Sequence, residues 1–233
     1  MGEKVLLLAS IATLGWLAAG PARAQTSAHS AVPPTASAAG PTETIDGIAA
    51  RIEDDVLTES EVRELGAFQK LVDGQTKSRA ELIRELEDQW IVRGEATAAN
   101  YPTPSAEDVD RAYSQLESQF PSPDEFKRRR TAAGLGEAAV RRMLEEQLYL
   151  SRFLDFRFRP AAQVTDSQIE DYYKNDFADP LKKRGQPVPA LDDVDDNIRE
   201  VLIVRAINDR ATAWLDDTRT RLQIDVIAPE AKP

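Results

Sequence analysis

The groups best placed to do chemistry in this chain are carboxylates. Asp and Glu number 40 against 29 Lys and Arg, and Asp192-Asp193-Val194-Asp195-Asp196 packs four of them together. Paired carboxylates can transfer protons, and alternating ones can hold calcium. This run lacks the alternating acidic spacing and the turn glycine of a calcium loop. It stands where a helix begins, and the positive end of a helix dipole accounts for it. Charged residues make up 30% of the chain, so other Glu/Asp proximities arise by chance and none is assigned acid–base work. The densest basic run is Lys127-Arg128-Arg129-Arg130. A grip on an acidic partner is one reading of it, a solvated helix face the plainer one.

Cysteine is absent and the single histidine is His29. Disulfides, thiolate nucleophiles and the commonest zinc sites go with the first absence. His29 lies in a segment without folding signals, so Cys/His zinc centres and a Ser-His-Asp triad have no residues to use. No glycine loop suited to phosphate appears. We therefore expect no catalytic residue, no cofactor and no metal, and no small-molecule substrate. The net charge of −11 repels nucleic acid and anionic membranes.

Aromatic side chains are the remaining candidates. Tyr149, Phe153, Phe156, Tyr172 and Tyr173 fall on two helical stretches, where they either complete a core or line a cleft for extended apolar segments. As a set they are the candidate contact surface for a polypeptide client, because a protein that holds other chains must keep apolar area accessible.

The elements that must position these residues begin after an export signal. Residues 1–24 combine Lys4, an uncharged apolar run from Val5 to Gly20, and Ala22-Arg23-Ala24, a small-x-small cleavage pattern between Ala24 and Gln25. The apolar run is shorter than the roughly 20 residues of a membrane span, although an uncleaved anchor is the competing reading. Residues 25–43, rich in Ala, Ser, Thr and Pro, cannot bury enough apolar area to offset their ordering entropy and read as a linker. The folded region is expected over 44–227, with a tail at 228–233.

Thr44 to Ile52 is strand-like, Glu53-Asp54-Asp55 makes a turn, and Val56-Leu57 starts the return of a hairpin. Thr58 with Glu61 forms a capping box for a helix over about 59–73, stopping at Gly74. Ser78 with Glu81 opens another through about Ala98. Ser105 caps a third, carrying Val109, Ala112, Tyr113, Leu116 and Phe120 at helical spacing. Ser122-Pro123-Asp124-Glu125 reads as a capping box with proline at the first helical position. The longest apolar helix follows over about 137–158. Thr165 and Gln168 cap a helix with Ile169, Tyr172, Tyr173 and Phe177. A loop is expected at 178–191, with Pro180, Gly185, Pro187 and Pro189. A helix over about 192–220 turns Val194, Ile198, Val201, Val204, Ala211, Trp214 and Leu215 inward. Leu222 to Ile227 alternates like a strand and needs a partner for its backbone groups; the N-terminal hairpin is the one available. The expected fold is mainly α, with a small antiparallel sheet joining the two ends.

This arrangement resembles the N-terminal chaperone domain of the SurA and PpiC-type periplasmic foldases. The segment Ile45 to Val62 is similar to the family's opening from strand through polar turn into the first helix. Glu137 to Phe158 resembles its central helix. Val164-Thr165-Asp166-Ser167-Gln168-Ile169-Glu170-Asp171-Tyr172-Tyr173 is similar to the segment that usually leads into the parvulin isomerase domain. Only the loop at 178–191 stands where that domain would be, and the folded region has no histidine, so isomerase activity is not carried over. The resemblance implies a chaperone module whose parts, 44–178 and 192–227, pack together. It further implies a periplasmic, ATP-independent holdase for unfolded exported or outer-membrane polypeptides, without stable membrane insertion once the signal is removed. Two other readings stand beside it: a peptidyl-prolyl isomerase, and a non-catalytic assembly protein with one fixed partner.

Overall fold

The computed structural model describes residues 46–228. The signal segment with its Ala24–Gln25 junction, the linker at 25–43 and the end of the tail lie outside the described residues.

Strand β1 (Ile48–Ile52) and strand β2 (Asp55–Thr58) form the hairpin. Its turn is tighter than the sequence suggests, because Asp55 already pairs with Ile52. Glu53 at the turn takes a positive φ of 52°. The Thr58 hydroxyl then accepts the Glu61 N–H while the Glu61 carboxylate accepts the Thr58 N–H at 2.7 Å. This reciprocal box starts helix α1 (Glu59–Asp73), which ends on Gly74 in the left-handed region at φ 76°. A second box, Ser78 with Glu81, opens helix α2 (Arg79–Ala98). Ser105 caps helix α3 (Ala106–Ser118), with Asp108 completing the exchange.

Helix α4 (Pro123–Ala132) corrects one expectation. The Ser122 hydroxyl does accept the Glu125 N–H, but the Glu125 carboxylate does not reach back. It pairs with Arg128 and, at 2.6 Å, with Arg129, because two guanidinium groups outcompete one backbone N–H for a carboxylate. The basic run is thus largely engaged within its own surroundings, and Arg130 donates to the Leu135 carbonyl.

Helix α5 (Glu137–Phe158) crosses the molecule, and helix α6 (Asp166–Tyr172) follows from the Thr165–Gln168 box. The loop expected from 178 starts later. The chain widens into a π-helical turn at Tyr173–Ala178 and regains α geometry as helix α7 (Asp179–Lys183), with Pro180 in its first turn. A proline ring crowds the carbonyl four residues before it in a regular helix; the wider turn ahead of Pro180 relieves that clash and lets the helix continue.

Helix α8 (Asp195–Arg219) is preceded by a short 3-10 turn at Leu191–Asp193, so the acidic run straddles two elements. Its buried row is Ile198, Ile207, Ala211 and Leu215, whereas Val201, expected inward, is exposed. Ile207, which the spacing did not pick out, is buried, and Val204 is half-buried.

Strand β3 (Ile224–Val226) closes the chain against its beginning. The sheet order is β2-β1-β3, all antiparallel, with Ala50 opposite Val226 and Ile52 opposite Ile224. The expected mainly helical fold with a small sheet joining the two ends is therefore present.

Three apolar clusters fill the interior. The sheet packs Ala49, Ala50, Ile52 and Leu57 onto Val62, Leu65, Leu82 and Ile83 of α1 and α2. The far half of α1 joins α3, α4 and the start of α5 around Phe126, Val140 and Leu144. The far halves of α2 and α5 meet α8 around Ile91, Phe153, Leu154 and Leu215. Helices α2 and α5 each serve two clusters and tie the halves into one body.

Candidate client-binding surface

Helix α5 positions the first group of aromatic candidates, and the structure sorts them by depth. Phe153 is 2% exposed and Tyr149 is also buried. These two are core residues, which corrects their assignment to an accessible cleft. Their positions four residues apart face the α2–α8 side, where Ala96, Ala211 and Leu215 complete the packing. Phe156, three positions on, is 62% exposed.

Tyr101 links the surface residue to the core. Its ring centre lies 6.0 Å from Tyr149, 5.5 Å from Phe153 and 5.4 Å from Phe156. The Tyr149 hydroxyl donates to the Tyr101 carbonyl at 3.4 Å. Sequence reasoning missed Tyr101 because it follows the end of α2 in a proline-rich break. The signal was there in Asn100, a residue type that tolerates the left-handed region and adopts φ 51° here, turning Tyr101 back onto α5.

Ion pairs line the stretch of α5 that carries Phe156. Arg152, one turn before it, pairs with Asp108 at 2.7 Å, Arg157 with Glu95 at 3.2 Å, and Arg159 with Glu200 at 2.7 Å. The Arg157 guanidinium also lies 4.8 Å from the Trp214 ring centre, and Trp214 meets Phe158 at 5.8 Å. Arg157 is thus held from two sides, by the Glu95 carboxylate and by the rings of Phe158 and Trp214.

Tyr172 and Tyr173 belong to a separate group on the α6 arm. Both are half-buried. Arg205 of α8 covers Tyr172 at 4.8 Å, while the Tyr173 hydroxyl donates to the Pro189 carbonyl at 2.7 Å and its ring stacks on Phe177. Among the described residues, no ring contact joins this group to the Phe156 group. The five candidates therefore do not line one cleft.

The strongly perturbed carboxylates have structural tasks. Burial pushes Glu87 and Asp88 above the usual carboxylate range, and Arg219 partly offsets this. Arg219 lies in the last turn of α8 and pairs with Asp88, with Glu87 at 3.3 Å and with Asp216 at 3.2 Å. This clasp fixes the end of α8 on α2 just before β3. Burial likewise raises Glu85, which receives Lys77 at 2.7 Å and the Gln69 amide at 2.9 Å. A cleft of about 560 Å³ opens where α1, α3 and α4 end, between Leu71, Phe120, Pro121 and Arg129. Among the described residues, no group of three or more Asp, Glu, His or Cys side chains is placed to hold a metal.

Other exposed apolar side chains are Val56 on β2, Val201 on α8 and Val226 on β3. No protein-family model matches the chain, and no curated protein matches it.

Proposed function

We propose that this protein is an ATP-independent holdase that binds unfolded polypeptides, exported or destined for an outer membrane, in the periplasm. The observation that carries this reading is Phe156, a large aromatic side chain left 62% exposed on a rigid helix. The core rings at Tyr101, Tyr149 and Phe153 support it from behind. An aromatic anchor on a preorganised base binds apolar segments at little entropic cost. The paired arginines around it keep a loaded complex soluble. The export-signal pattern at residues 1–24 supports an envelope location, and the resemblance to SurA-type chaperone domains suggests the client class.

Light scattering tests the proposal. Residues 25–233 in several-fold excess over an unfolding outer-membrane protein suppress its aggregation without nucleotide. Undiminished aggregation would overturn the reading. In the same preparation, proline-peptide isomerisation stays at background.

A further inference from the structure

We infer that the free edge of β3 takes up an extended client segment as a fourth strand, with apolar residues flanking a lysine or arginine. The inference rests on the holdase reading and names where and how one part of the client is held.

The backbone bonds of β3 define the edge. Glu53 N–H donates to the Gln223 carbonyl at 2.9 Å, and Ile227 N–H donates to the Ala49 carbonyl at 2.9 Å. In an antiparallel pair such bonding residues alternate with ones whose N–H and C=O point away. Ile224 and Val226 occupy the away-pointing positions, opposite Ile52 and Ala50. Their N–H and C=O groups face outward, and no described residue takes them. The other outer strand is protected: β2 pairs through an irregular register and runs straight into α1. Such devices blunt an edge. The open groups of β3 lie beside Val226, 51% exposed. Ile224 beside it already packs on the sheet core.

Only an extended backbone supplies donors and acceptors in this alternation. A second copy of the chain does not fit. Two-fold pairing of β3 with itself satisfies both residues only in the register that sets Asp225 against Asp225, and like charges directly opposite are destabilising. The same side chain selects a basic residue in a client. Asp225 is exposed on the outer face, with Arg51 on its β1 side. An added strand therefore meets apolar, acidic, apolar in turn, and apolar–basic–apolar complements it. The chain's net charge of −11 draws such segments in.

The test uses isotope-labelled 25–233 and capped peptides of alternating valine and lysine, alternating valine and glutamate, and a valine–lysine peptide N-methylated on its valines, the amides that would face Ile224 and Val226. The valine–lysine peptide is expected to shift the Ile224 and Val226 amides and slow their exchange. The glutamate peptide should bind about fivefold more weakly or worse, since a cross-strand attraction becomes a repulsion, and N-methylation should abolish the shifts. Asp225→Asn removes the preference for lysine without setting a new positive charge beside Arg51, and Asp225→Lys reverses it. Equal affinity for both peptides, or shifts confined to residues around Phe156, would overturn strand addition. If the full chain suppresses aggregation and Asp225→Lys leaves client preference unaltered, the edge is not the site although the holdase reading stands. If peptides add to β3 while aggregation is unaffected, strand addition stands and the holdase reading fails.

Discussion

Phe153 and Phe156 sit three positions apart on one helix and have opposite tasks. Phe153→Ala removes a buried ring from the α2–α5–α8 cluster, and about 3–5 kcal/mol of stability goes with it. Phe156→Ala changes thermal stability little, because its ring is mostly in water. It weakens client binding by roughly tenfold, the equivalent of burying part of one aromatic side chain. Thermal melts and a client titration separate the two; equal loss of stability in both variants would remove Phe156 from the surface. At the Arg219 clasp the prediction concerns pH. Glu87 and Asp88 have folded-state pKa values raised above their unfolded values. Their protonated forms favour the folded state, so this contribution is present below the unfolded pKa and lost as pH rises through the folded pKa. Glu87→Gln should therefore gain stability relative to the parent as pH rises from the ordinary carboxylate range through the raised folded-state value. Chemical denaturation across that window checks it, and a difference that does not change with pH refutes it. Asp108 behaves oppositely, because hydrogen bonds from Arg152 and the Ser105 backbone lower its pKa; its contribution is present above the unfolded pKa and lost as pH falls.

Among elements, the α1–α2 crossing is one that a glycine makes available. A Cβ at Gly66 would stand 2.9 Å from Thr76 Oγ1 and 3.1 Å from Leu82 Cδ1. Gly66→Val should cost about 2–3 kcal/mol by forcing the helices apart, although valine alone is the better helix former. Denaturant titration measures it, and a neutral result would mean that the loop carrying Thr76 gives way. The helix starts were legible in advance for a local reason. Thr58, Ser78, Ser105 and Thr165 each find their backbone partners within three residues, and such bonds form independently of the rest of the chain. The continuation through Pro180 was not legible, since a π turn is a compromise that packing imposes on the helix.

At the scale of the whole molecule, the joining of the two ends makes one body of a long chain. A chain truncated after Leu222 loses β3 and opens the β1 edge. Amide exchange at Arg51 and Glu53 should then quicken by at least tenfold, while amides in the α3–α4 cluster change little. Uniform quickening would show that β3 stabilises the entire fold rather than the sheet. Among the described residues the same closure leaves β3 with one paired side and one open side, the geometry on which the proposed strand addition rests.

The sequence by itself determined the order of the long helices and the strands, the caps at Thr58, Ser78, Ser105 and Thr165, the pairing of the ends and the lack of cysteine. Each of these depends on residue type and near-neighbour spacing, or on the lack of any other partner for a C-terminal strand. Only the tertiary structure decided which aromatic residues face water. Phe153 and Phe156 have the same residue type and lie on the same helix, and the difference between them comes from α2, α8 and Tyr101. It also decided that Val201 lies outside and Ile207 inside, that Tyr172 and Tyr173 belong to a different surface, and that no described strand pairs with the outer edge of β3. Exposure is a property of what packs from elsewhere in the chain, and periodicity along a single helix carries no record of it.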